Sequence, residues 1–384
     1  MAREDKPYRV YRGGRARGGV PTLPRLTKPG RQKKPSRSGS GRARYAGPGP
    51  VKRARRWGVG RITFLSILGL ILLTIGWTVA GYLAVRSGIQ EANERLGDRA
   101  KAQLVPQSGW MLSEPEVTLV LGSDRSNHPT RRTNRLADSI MLIRTDPDHT
   151  RVTYLSIPRD LEVDVPGYGH EKINSSLPLG GTQLVIRTIR SSLGIDVNHV
   201  ILLDFPSFRD VIDALGGVSV DVPKPAVTNV ECPYRSTERC QRWGGWRFGR
   251  GVQEMDGRRA LLYSRIRTNL LDPGEGDLNR VGRQQQVLQA TLSEMVSFGT
   301  YLRLPFIGDE LVKPLATDLS TGELFQLAWL RFRSSGDRTV FCRLGLTGDG
   351  DENAAVLLMF SGRSAIQPPS PLSGAGCIAG TPLT

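Results

Sequence analysis

In this 384-residue sequence, carboxylates and arginines recur where strands are expected to end. Leu121-Gly122-Ser123-Asp124 sets a carboxylate just past the first strand-like run. Arg135-Leu136-Ala137-Asp138-Ser139 sets an Arg and an Asp just before the second. Ser156-Ile157-Pro158-Arg159-Asp160 closes the third, where Pro158 stiffens the turn that presents Arg159. Two converging Asp side chains can hold Mg²⁺ through one carboxylate each while phosphate oxygens complete its shell. Arg forks grip phosphate oxygens bidentately. A denser group runs from Asp256 through Arg258, Arg259, Tyr263, Arg265 and Arg267, followed by Asp277, Arg280, Arg283 and Gln284. On a helix, residues 280, 283 and 284 share one face. Any one of these arginines is most simply a solvated surface residue. The whole set, in a region without charge excess, is not accounted for that way.

Other chemistries are poorly served. The four histidines, His128, His149, His170 and His199, show no metal-ligand spacing and none lies beside a plausible nucleophile. There is no G-x-S-x-G elbow and no GxxxxGK[ST] loop, which argues against a serine hydrolase and a nucleotide-driven enzyme. No Cys-x-x-Cys or Cys/His pattern offers a zinc site.

The elements that must position these residues are legible from pattern. Strand-like runs are expected over 117–121, 139–145, 151–156, 200–204, 218–222 and 339–343. Helices are expected over 183–193, 208–215 ending at Gly216-Gly217, 258–264, 281–297 and 353–360. A further helix opens with Ser320 and Glu323 at capping-box spacing and runs to residue 330. Such interleaving predicts one α/β domain with a central sheet covered by helices. It begins near Glu116, after a polar helical stretch over 87–103 and a linker over 106–115.

Charge and hydropathy place that domain. Residues 1–61 hold 19 basic and 2 acidic residues, whereas the rest carries 34 of each sign, so the net charge of +17 belongs to the tail. A folded nucleic-acid-binding domain would carry the excess itself, so no nucleic acid partner is expected. The tail, rich in Gly, Pro, Ser and Arg, reads as disordered, with contact to anionic membrane lipids as its sharper role. Residues 62–85 contain no charge and would form a helix about 36 Å long, enough to span a hydrocarbon core of about 30 Å. The basic flank before it and mixed flank after it predict an uncleaved single-pass anchor, N-terminus cytoplasmic, with everything beyond residue 85 extracytoplasmic. Cys232, Cys240, Cys342 and Cys377 all fall on that outer side, where disulfides form. Of three connectivities, Cys232 with Cys240 and Cys342 with Cys377 is preferred: the first closes a local loop and the second ties the last segment back.

Taken together, the motifs resemble the LytR-CpsA-Psr (LCP) family. They are R-x-x-D-S over 135–139, S-I-P-R-D over 156–160, K-I-N over 172–174 with Gly180-Gly181, and D-A-L-G-G-V over 213–218. D-G-x-x-A-L-x-Y-x-R-x-R follows over 256–267 and D-x-x-R-x-x-R-Q over 277–284. The match covers about 116–297, in the expected order. The resemblance implies a basic cytoplasmic tail (1–61), an anchor (62–85), an extracytoplasmic linker (86–115) and a three-layer α/β/α catalytic domain (116–384) with a mostly mixed sheet. It implies a phosphotransferase that moves a glycopolymer from a polyprenyl-diphosphate carrier onto peptidoglycan, with Mg²⁺ at the diphosphate and the lipid tail in an apolar channel. Carried over by position, Asp124 and Asp138 would be the carboxylates at the metal. Arg135, Arg159, Arg265, Arg267 and Arg280 would grip the diphosphate, with Gln284 near by and Lys172 and Asp277 completing the polar wall. The general base is expected among Asp124, Asp138 and Asp160. A hydrolase that releases the carrier, and a membrane protein that binds polyprenyl phosphates or glycans without turnover, are the alternatives.

Overall fold

The computed structural model describes residues 59–106, 109–124, 136–146, 151–334, 338–345, 357, 360 and 376–379. The basic tail up to residue 58 lies outside them, as does the helix expected over 353–360 apart from Leu357 and Phe360.

Helix α1 (Val59–Arg95) contains the uncharged run and extends ten residues past it. It is the one helix among the described residues long and apolar enough to cross a membrane. The stretch expected as a linker is packed rather than extended. Leu96, Ala100 of the short α2 (Asp98–Lys101) and Met111 are buried, and the Val105 N–H donates to the Val197 carbonyl at 2.9 Å.

The domain is built on a seven-stranded mixed sheet. Its strands in chain order are β1 (Glu116–Ser123), β2 (Ala137–Asp146), β3 (Arg151–Ile157), β6 (His199–Asp204), β11 (Ala316–Thr317), β12 (Thr339–Arg343) and β13 (Gly376–Ala379). Their spatial order is β11-β6-β1-β2-β3-β12-β13. Pairings β6–β1 and β3–β12 are parallel and the other four antiparallel. Alternation assigns the two faces. Leu119, Leu121, Leu142 and Leu155 pack with Val185 and Ile189 of α3 (Ser176–Leu193) on one side. Met141, Ile143, Tyr154 and Phe341 pack with Leu288 and Leu292 of α7 (Asp277–Met295) on the other. A second core joins α4 (Phe205–Leu215), α6 (Gly257–Ser264) and α8 (Phe298–Val312) to Val85, Ile89 and Ala92 of α1.

Local signals act as expected where they are strong. Asp204 caps α4 by accepting from the Ser207 N–H at 2.9 Å, and Gly216 ends it in the left-handed region at φ +85°, open to glycine without a Cβ penalty. Ser320 and Glu323 form the reciprocal capping box of α9 (Thr321–Arg333). The structure adds α8, whose Gly299, Pro305 and Gly308 interrupt a helical pattern. It also adds three small antiparallel pairs. These are β4 (Glu162–Val165) with β5 (Gly169–Lys172), β7 (Val218–Val222) with β10 (Gly251–Met255), and β8 (Ala226–Thr228) with β9 (Trp246–Phe248). Cys232 pairs with Cys240 and Cys342 with Cys377.

Candidate active site

The ends of β1 and β3 and the start of β2 lie together at one edge of the sheet, because β2 runs antiparallel to both neighbours. Asp124 follows β1, its N–H donating to the Leu136 carbonyl at 3.2 Å, and Asp138 is the second residue of β2. Register alone therefore brings the two carboxylates to adjoining strands. Arg135 lies outside the described residues.

Arg159 sits in the turn after β3, and a second motif holds that turn. The Asn174 N–H donates to the Arg159 carbonyl at 3.2 Å, the Ile173 N–H to the Leu161 carbonyl at 2.8 Å, and Ile173 is fully buried beneath. Lys172, immediately before, donates to Asp160 Oδ1 at 3.1 Å. The S-I-P-R-D and K-I-N segments thus form one unit. From it Arg159 Nη1 reaches Asp138 Oδ1 at 2.8 Å while its Nε reaches Asp160 Oδ2 at 3.2 Å. With its side chain only 14% exposed, Arg159 is preorganised between two carboxylates. Burial pulls the Asp160 carboxyl up, but Lys172 and Arg159 outweigh it and hold its pKa below the ordinary carboxylate value. Asp160, weakened as a base, is placed as a strut between two cations.

Arg267 extends from the segment after α6 to within 3.9 Å of Asp138 Oδ1, with 54% of its side chain exposed. It is more loosely held than Arg159 and faces solvent. The backbone between Arg265 and Arg267 is fixed from below by α7: Arg283 Nη1 donates to the Ile266 carbonyl at 3.2 Å and its Nη2 pairs with the buried Glu275. Five residues therefore converge: Asp138, Arg159, Asp160, Lys172 and Arg267.

Comparison with known proteins shows the family of the chain. The LytR_cpsA_psr family model matches residues 79–358. This chain belongs to the LytR_cpsA_psr family. Among curated relatives, Regulatory protein MsrR of Staphylococcus aureus (strain COL) is 33% identical over 257 residues, covering 66% of this chain and 71% of MsrR. Polyisoprenyl-teichoic acid–peptidoglycan teichoic acid transferase TagU of Oceanobacillus iheyensis is 27% identical over 310 residues, covering 78% of this chain and 88% of TagU. The fold matches the crystal structure of Bacillus subtilis TagV at a TM-score of 0.52 and 24% identity, covering 65% of this chain and 98% of that one.

In this LytR_cpsA_psr protein the remaining expected residues lie just after α6 and on α7. Arg265 pairs with Glu231 and lies over the Phe205 ring at 4.5 Å, which joins the Cys232–Cys240 loop to the site's flank. Arg280 is buried on α7 at 3% exposure and Gln284 half-buried on the same helix. Asp277 opens α7, and its side chain lies outside the described residues. Two supports escaped the sequence reading. Gln285, fully buried, donates from Nε2 to Ser156 Oγ at 2.9 Å, tying α7 to the end of β3 beside the motif turn. Glu275 neutralises the buried Arg283 guanidinium. The helical spacing of Arg283 was visible, but its anchoring of Ile266 depends on a chain reversal that spacing does not encode.

Proposed function

We propose that this protein is a cell-envelope phosphotransferase that moves a glycopolymer from a polyprenyl-diphosphate carrier onto peptidoglycan outside the membrane. The observation that carries the reading is the convergence of Arg159, Arg267 and Lys172 on the carboxylates at one sheet edge. The TagU relative is named for a reaction of this class, and a membrane-spanning α1 would keep the site beside a carrier confined to the bilayer. In this topology the N-terminus is cytoplasmic, and the basic tail faces anionic headgroups.

In the proposed reaction an acceptor hydroxyl of peptidoglycan attacks the phosphorus attached to the glycan. A new P–O bond forms, the diphosphate P–O–P bond breaks, and polyprenyl phosphate leaves. A carboxylate takes the hydroxyl proton. Asp124, Asp138 and Asp160 are the candidates, and of these Asp160 is held below the ordinary carboxylate pKa by Lys172 and Arg159. Phosphoryl transfer is largely a matter of positioning and charge neutralisation. Arg159, held in place before substrate arrives, fits the role of orienting the diphosphate, and the exposed Arg267 fits the role of closing on it.

The donor set also fits Mg²⁺. Asp124 follows β1 and Asp138 is the second residue of the neighbouring β2, which sets two carboxylates on adjoining chain segments. Mg²⁺ characteristically takes one or two carboxylates and completes its shell with water and phosphate oxygens. When bound, it would neutralise charge on the diphosphate. The site's own cations are already matched by carboxylates, so a further positive charge has a purpose there.

The test uses the full chain in proteoliposomes with a polyprenyl-diphosphate glycan and peptidoglycan fragments, in Mg²⁺ or EDTA, with products followed by mass spectrometry. The reading expects a Mg²⁺-dependent glycan–phosphate adduct on the acceptor, abolished in Arg159→Ala and Arg267→Ala. Normal transfer by both variants would overturn the site assignment. Release of free glycan phosphate without an adduct would make the protein a hydrolase.

A further inference from the structure

The anchor does not stand apart from the domain. From Trp77 onward α1 is accompanied by α8, which runs beside it in the same direction. Trp77 Nε1 donates to the Tyr301 carbonyl at 3.4 Å, Thr78 Oγ1 lies 2.9 Å from the Tyr301 hydroxyl, and the Trp77 and Phe306 rings meet edge-on at 5.7 Å. Further along, Lys313 pairs with Glu91 at 3.0 Å. Glycines permit the approach: a Cβ on Gly88 would come within 2.7 Å of the Asp309 carbonyl oxygen, and one on Gly308 within 3.1 Å of Ala84 Cβ.

This register has a consequence for depth. The uncharged run of α1 continues to Val85, so a bilayer that accepts the run accepts Trp77 to Val85 as well. The first half of α8 lies alongside those same residues. One side of α8 faces α1 through Leu304 and Gly308, and Arg303 turns to the domain, donating to the Leu215 carbonyl at 2.7 Å. The strip flanking the α1 contact carries Phe298, Leu302 and Phe306 at i, i+4 and i+8, exposed at 74%, 47% and 72%, with the edge of Phe306 meeting Trp77. Three large apolar side chains in one stripe, on a helix level with a transmembrane segment, are what a lipid-facing surface requires.

We infer that the first half of α8 is embedded in the outer leaflet beside the anchor, with Phe298, Leu302 and Phe306 in contact with lipid hydrocarbon. This rests on the reading of α1 as a membrane span. The domain then has two points of membrane contact, and a single helix that could swivel becomes a pair that fixes tilt and height.

All four native cysteines are in disulfides, so an added cysteine can be labelled selectively with a nitroxide. Full-length Phe298→Cys, Leu302→Cys and Phe306→Cys would be labelled in phosphatidylethanolamine/phosphatidylglycerol bilayers. Leu73→Cys, on the exposed face of the apolar run, serves as the lipid reference, and Glu310→Cys, farther along α8, as the aqueous one. Power-saturation EPR would read collisions with dissolved oxygen against those with a water-soluble nickel chelate. The inference expects the three labels to favour oxygen, as at Leu73, with the preference reversed at Glu310. If all three follow Glu310 while Leu73 remains oxygen-favouring, the embedding of α8 is overturned and the anchor stands. If Leu73 itself favours nickel, the anchor reading fails and the inference with it.

Discussion

His199 lies at the edge of the sheet opposite the candidate site, at the start of β6, and it is buried between two acids. Its Nδ1 is 2.7 Å from Asp318 Oδ2 and its Nε2 is 3.3 Å from Glu116 Oε2. Asp318 Oδ1 also accepts from the Val200 N–H at 2.7 Å, so the cluster staples β1, β6 and the chain leaving β11. Burial alone would drive the proton off the ring, but the hydrogen bond to Asp318 and the negative charges of Asp318 and Glu116 outweigh it and raise the pKa from 6.5 to about 9. Because the folded value is the higher, the stabilisation is fully present below pH 6.5, declines as pH rises, and is lost above pH 9. At about 1.4 kcal/mol per pH unit, the gap amounts to about 3 kcal/mol. For a domain of this size that is roughly 6 to 12 °C in Tm. The assay is thermal unfolding of detergent-solubilised full chain between pH 6 and 10, beside His199→Gln, which leaves two buried acids without their cation. The variant should be several kcal/mol less stable at pH 6.5, roughly 3 to 5 by analogy with other broken buried pairs, and the gap should narrow towards pH 10. A wild-type Tm that stays flat through this window, or a decline of equal slope in the variant, would refute the charged triad.

Three further outcomes follow from the site and its supports. Asp160→Asn removes one of two charged partners of Arg159 and the partner of Lys172, and charge-assisted hydrogen bonds of about 1.5–3 kcal/mol translate into a roughly 10- to 100-fold loss of transfer rate with little change in Tm. Gln285→Leu strands the buried Ser156 hydroxyl and should cost about 1–3 kcal/mol by urea unfolding, with transfer falling as the β3 turn loosens. Replacing Cys342 and Cys377 together by Ala opens a loop of separation 35 and should cost about 4 kcal/mol, read as a lower urea midpoint than that of wild type under non-reducing conditions.

Much of the scaffold was legible because its signals are local. Strand-like apolar runs marked β1, β2 and β3 to within two residues at each end, and the caps at Ser320 and Gly216 marked helix ends by their own chemistry. What escaped depended on contacts between distant segments. Helix α8 reads as broken around Pro305, and it becomes a helix by packing on α1 through Gly308 and on α4 through Arg303. The motif residues were visible one by one, but the strut role of Asp160 arises only when Asn174 fixes the turn over which Lys172 folds back. Gln285 carries no signal at all in sequence, because a glutamine beside Gln284 gains its meaning from which of the two faces β3.

The pairing of Arg159, Lys172 and Arg265 with carboxylates bears on how a diphosphate would enter. Arg159 is held by Asp138 and Asp160, Lys172 by Asp160, and Arg265 by Glu231. Left unpaired, such groups would repel one another and disfavour the folded site, and carboxylates relieve that before substrate arrives. Binding a diphosphate, as proposed, would then be an exchange of anions, in which phosphate oxygens take over donors that carboxylates release. Exchange keeps the guanidinium groups oriented throughout, so little reorganisation remains for the reaction itself. In the proposed reaction it would also set Asp138 free of Arg159 when an acceptor proton needs a carboxylate. A site built of bare cations would hold the carrier more tightly but would leave no base unmasked by its binding.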